Sequence, residues 1–60
     1  MSPFSLVSRC AGESRSAYAV RVRAALVCLD SVGAEAFPLA DGRGFVLGGR
    51  LVAYVSFRGL

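Results

Sequence analysis

Two adjacent glycines, Gly48 and Gly49, divide the apolar run Phe45-Val46-Leu47 from Arg50-Leu51-Val52. A two-residue turn between such runs favours positive φ, which glycine adopts at no steric cost. The pair therefore predicts an antiparallel hairpin. Residues 50–58 alternate, with Leu51, Ala53, Val55 and Phe57 on one side and Arg50, Val52, Tyr54, Ser56 and Arg58 on the other. That is the period of a half-buried strand. Asp41-Gly42 predicts a second turn of the same kind, between Phe37-Pro38-Leu39-Ala40 and Arg43-Gly44-Phe45. Together these segments predict a small three-stranded antiparallel meander over about residues 36–58. Pro38 brings no N–H to a ladder, which assigns the first strand to an edge.

Such a meander needs a cover, and residues 17–29 are the candidate. Tyr18, Val20 and Val22 alternate with Ala19, Arg21 and Arg23, and the run from Ala24 to Leu29 is continuously apolar. Alanine content and length favour a helix, while the alternation and the valines favour a strand. In a helix Arg21 would share a side with Tyr18 and Ala25, a misfit that tips 17–23 toward strand. Asp30, Ser31 and Gly33 end the element. The fold class is thus α+β or mostly β, with one strand or helix over the meander. Residues 1–16 carry Pro3, Gly12 and five serines and read as an irregular leader. Residues 17–60 then form a single small domain.

Chain length limits how well this design can be stabilised. A chain of 60 residues buries only about 60% of its unfolded surface. Small domains offset this with disulfides, metals or oligomerisation. Cys10 and Cys28 could close one disulfide worth about 3 kcal/mol. With no secretory signal evident, two reduced thiols and a cytoplasmic protein are the expectation. The longest uncharged runs fall far short of the about 20 apolar residues of a membrane span. The N-terminal half has the Ser/Arg/Ala content of a transit peptide. At about 100° per residue, however, Arg15, Arg21 and Arg23 point in separate directions and build no basic face.

Composition narrows the chemistry. Lys, Ile, Thr, Asn, Gln, His and Trp are all absent. The codons of these types, Trp apart, begin with A or CA, so the bias fits an A-poor, GC-rich coding strand. Without His or Lys the usual proton shuttle, Schiff-base amine and favoured zinc ligand are missing. The four carboxylates form no calcium-loop spacing. Gly44 to Gly49 copies the glycine spacing of a phosphate loop, but Arg50 and Leu51 stand where Lys and Ser/Thr belong. No catalytic, cofactor or metal residues are therefore assigned.

The net charge of +3 comes entirely from arginines spread along the chain. The expected product is a small non-enzymatic interaction or accessory protein, or a GC-rich reading-frame product with no evolved activity. A protein partner or a second copy would dock through Leu51, Ala53, Val55 and Phe57. One alternative is a weak RNA- or DNA-binding module. Arginines there contact phosphate and aromatics stack on bases, with Arg43, Arg50, Tyr54 and Arg58 as the candidate residues. Another is a peripheral membrane or self-associating peptide built on the apolar strand from Leu51 to Phe57.

Overall fold

The computed structural model describes residues 4–60. Residues 1–3 of the expected leader lie outside that range. The fold is α+β: strand β1 (Ser5–Val7), helix α1 (Arg15–Ser31), then strands β2 (Glu35–Leu39), β3 (Gly42–Leu47) and β4 (Arg50–Ser56). The strands form one mixed sheet in the order β1-β4-β3-β2. The antiparallel meander is present as β2, β3 and β4. It is widened by β1, which runs parallel to β4 with Leu6 opposite Tyr54. Part of the segment expected to be an irregular leader is therefore a strand.

The turns follow glycine chemistry at one end and not at the other. Gly48 and Gly49 both take positive φ, 61° and 76°, and close the β3–β4 hairpin as expected. The β2–β3 turn is Ala40-Asp41, one residue earlier than Asp41-Gly42, because Gly42 pairs with Leu39 and opens β3. Gly42 is needed for space instead. A methyl group there would sit 2.5 Å from the Tyr54 hydroxyl and against the Val55 carbonyl oxygen. Pro38 lies on the edge strand, as expected. In a two-residue hairpin closed at Leu39 and Gly42, the nitrogens of Ala36 and Pro38 face away from β3, so the imide costs no ladder bond.

Residues 17–29 are helical, against the strand preference for 17–23. The Ser14 hydroxyl caps the first turn by accepting from the Ala17 N–H at 3.1 Å. At the other end Ala34 N–H reaches the Leu29 carbonyl and Gly33 N–H the Asp30 carbonyl. With Gly33 at φ 82° this is a Schellman close. Tyr18 and Val22 are buried, and Ala25, Leu26 and Leu29 pack beside them. The positions 18, 22, 25, 26 and 29 make one helical stripe. The stripe meets Phe45, Ala53 and Val55 from the sheet, which complete the buried core. Tyr18 also fastens the layers together. Its hydroxyl lies 2.5 Å from the Ser56 carbonyl oxygen and 3.1 Å from that of Val7.

Arg21 explains how the helix tolerates a cation near its core face. It forms a two-point bond to Glu13, 2.7 and 2.8 Å, and donates to the Ser8 carbonyl at 2.8 Å. Its guanidinium also lies over the Tyr18 ring, 5.3 Å from the centre. Glu13 further accepts from the Cys10 N–H at 3.0 Å. The β1–α1 loop is thus clamped to the helix. The hydrogen bond from Arg21, aided by the one from Cys10, lowers the Glu13 pKa from 4.5 to about 2. The folded chain favours the carboxylate, so the clamp's contribution is complete above pH 4.5 and is lost as pH falls to about 2. In urea titrations the parent should exceed Glu13→Gln in midpoint at neutral pH, with the gap closing across that window. A gap that stays constant down to pH about 2 refutes the linkage.

Candidate interaction surface

Strand register sorts the side chains onto two faces, because directly opposed residues share a face. On the helix side lie Val7, Ala36, Arg43, Phe45, Ala53 and Val55. On the other side lie Leu6, Phe37, Leu39, Val46, Leu51 and Tyr54. No element of the described chain covers this second face. Leu6 is 64% exposed, Leu51 47%, Leu39 46% and Phe37 37%. Glu35 is the one charged strand residue there, at its β2 margin.

A bulge in β4 assigns Leu51 to this open face. Phe45 opposes Ala53, but Val46 opposes Leu51, so Val52 is the extra residue. The insertion reverses the alternation at that point. Leu51 turns away from Ala53, and Arg50 joins Leu47 on the helix side. The simple alternation expected for 50–58 therefore fails below Val52. Two glycines on the open face lie directly beneath aromatics. Phe37 covers Gly44, where a methyl group would fall 2.5 Å from the ring's Cζ, and Tyr54 covers Gly42. Such pairing of an aromatic with a cross-strand glycine keeps the pleat shielded without a β-carbon.

Tyr54 is held at its far end. Its hydroxyl donates to Asp41 Oδ1 at 2.7 Å. Asp41 Oδ2 lies 3.8 Å from Arg58 Nε, and the Asp41 carbonyl accepts from the Phe57 N–H at 2.8 Å. The carboxylate beside it raises the Tyr54 pKa, since ionisation would remove the donor and add a like charge. Tyr54 and Arg58 thus meet through Asp41, while Arg43 and Arg50 lie on the other side of the sheet. Arg43 stacks over Phe57, 5.6 Å from the ring centre. It also borders a groove of about 370 Å³ with Leu26, Val27, Asp30, Ala36 and Phe45, between α1 and strands β2 and β3. The four residues named for nucleic-acid contact do not form one basic-aromatic face.

The docking strip expected from alternation also changes. Ala53 and Val55 are 1% and 0% exposed and face the helix, so neither is available to a partner. Phe57 packs on the core beneath Arg43. Of that strip, Leu51 alone reaches the open face. Sequence reasoning passed over Leu6, Phe37 and Leu39. The last two stand two apart around Pro38 on an expected strand, which was the available sign that they share a side.

Among the described residues no cluster of three or more His, Cys, Asp or Glu could hold a metal ion. Cys10 and Cys28 are both unpaired and exposed. No helix among those residues is long and apolar enough to cross a membrane. The chain matches no family model, no curated protein and no solved structure.

Proposed function

We propose that the chain is a small non-enzymatic interaction or accessory module that docks a protein partner on the open face of its sheet. The supporting observation is the segregation of that face. It gathers Leu6, Phe37, Leu39 and Leu51, all exposed, while the strand arginines Arg43 and Arg50 lie on the other side. A contiguous apolar patch with a polar margin is characteristic of a docking site. Of the charged residues near it, Asp41 is engaged with Tyr54 and Arg58, and Glu35 lies at the β2 margin. Absence of His and Lys fits a role that requires no proton shuttle.

Photo-crosslinking tests the reading. A photoreactive residue at Leu51 is expected to give discrete covalent adducts in cells, and the same residue at Arg15, on the exposed first turn of α1, is expected to give none. No adduct at Leu51, or equal labelling from both sites, sinks the reading. A product without evolved activity would then be the better account. Adducts to RNA in place of protein would favour the nucleic-acid alternative.

A further inference from the structure

We propose that the occupant of the open face is a second copy of this chain, packed sheet against sheet around a two-fold axis. The inference rests on the docking reading above and names its partner.

The first argument is the size of the core. Among the described residues five buried apolar side chains form it: Tyr18, Val22, Phe45, Ala53 and Val55. A single core of this size rarely supplies more than about 3–5 kcal/mol, and many small domains add to it with a disulfide, a metal or an oligomer. Both cysteines are unpaired, and the described residues hold no metal cluster. Oligomerisation is the device for which the structure shows a surface, because the open face carries Leu6, Phe37, Leu39 and Leu51, which a second layer would bury.

Charge is the second argument. Each copy carries +3, so two copies repel unless their contact avoids arginine. The middle of the open face does so, because the strand arginines Arg43 and Arg50 lie on the helix side and Arg58 sits at the margin against Asp41. An isologous contact sets each patch against itself, which a nearly uncharged apolar patch satisfies.

Geometry then selects face-to-face packing over edge pairing. The β2 edge has lost an outward N–H at Pro38, and β1 is three residues long; both are poor templates for a further strand. Four strands at about 4.8 Å spacing and about five residues long give a footprint of roughly 300–400 Å² per copy. Allowing for side-chain relief, two copies bury up to about 1,000 Å², the small end of specific interfaces. The dimer is therefore expected to be reversible and concentration-dependent. Two such sheets would sit about 10 Å apart, with Phe37, Leu39 and Leu51 interdigitated.

Sedimentation equilibrium of the purified full chain from about 1 µM to about 1 mM tests this directly. The apparent mass should climb from 6.3 kDa toward twice that value. Leu51→Lys should weaken the association at least about tenfold, the effect of seating a charge in an apolar contact. Val20→Lys, on the exposed helix surface, should leave it unchanged. Circular dichroism establishes that each variant folds. If Leu51→Lys does not fold, isotope-filtered NOEs on mixed labelled and unlabelled parent chain provide the test, with contacts expected between Leu51 and Phe37 of opposite copies. A parent that stays at 6.3 kDa, a Leu51→Lys chain that associates like the parent, loss of association in Val20→Lys, or absence of those NOEs overturns the dimer. A monomeric chain whose Leu51 crosslinks other proteins in cells loses the dimer and keeps the docking reading. A chain that crosslinks nothing loses both.

Discussion

Replacing Tyr18 by alanine should unfold the chain. Tyr18 is fully buried, at 0% exposure, and its ring fills the space between α1 and the β1–β4 edge. Truncating a buried aromatic costs about 3–5 kcal/mol in lost burial and cavity. The hydroxyl adds to this, because its removal withdraws a donor from the Ser56 and Val7 carbonyls. An unsatisfied buried acceptor costs about 1–3 kcal/mol. A chain of this length has about 3–9 kcal/mol in total. Tyr18→Phe separates the two effects, since it keeps the ring and should lose about 1–3 kcal/mol. Far-UV circular dichroism with urea melts checks both variants. A Tyr18→Ala chain that unfolds cooperatively with the same urea midpoint as the parent would show that the ring does not fasten the helix to the sheet.

Gly42→Val should be almost as damaging, for the opposite reason of excess volume. The β-carbon would meet the backbone oxygen of Val55 and the hydroxyl of Tyr54. A carbonyl fixed within the β3–β4 ladder cannot retreat without opening that ladder. Overpacking in a rigid site costs about 1–3 kcal/mol, and more where backbone must move. Gly44→Ala provides the contrast. Its new methyl group would meet the ring end of Phe37, which is part-exposed and able to swing outward. Gly48→Ala meets no atom within 4 Å but requires positive φ in a non-glycine residue, at about 1–2 kcal/mol. The expected order of urea midpoints is therefore Gly42→Val lowest, with the other two nearer the parent. A Gly42→Val midpoint equal to that of Gly48→Ala would refute the close approach.

The legible parts of the fold are those written in local chemistry. Gly48-Gly49 specified its hairpin because the turn itself demands positive φ. Pro38 specified an edge because one missing N–H decides the matter. Residues 17–29 were less legible because Tyr18 and Val22 fit both periods, two apart through Val20 and four apart on a helix. Arg21 then argued against the helix. Its partner Glu13 lies in the preceding loop, and a clamp between the two cannot be read from the helix's own pattern. β1 was illegible for a related reason. Three residues have little periodicity, and their pairing with β4 is set by tertiary contacts far along the chain. The open face suffered most from the bulge at Val52. One extra residue reversed the sides of Arg50 and Leu51, and with them the composition of the surface. Nothing in the alternating pattern itself marks that insertion.

The pairing of β1 with β4 also bears on the order of events in folding. The two hairpins of the meander close over short loops and can form early. The β1–β4 ladder joins residues 5–7 to residues 53–55, almost the whole length of the chain. It can form only after β4 exists, and the Tyr18 hydroxyl, which needs both Val7 and Ser56, completes its bonds at the same stage. A growing chain therefore holds its helix with Tyr18 and Val22 uncovered until the last strand has emerged. The two ends are thus joined as a single clasp, which damage to either side is expected to open.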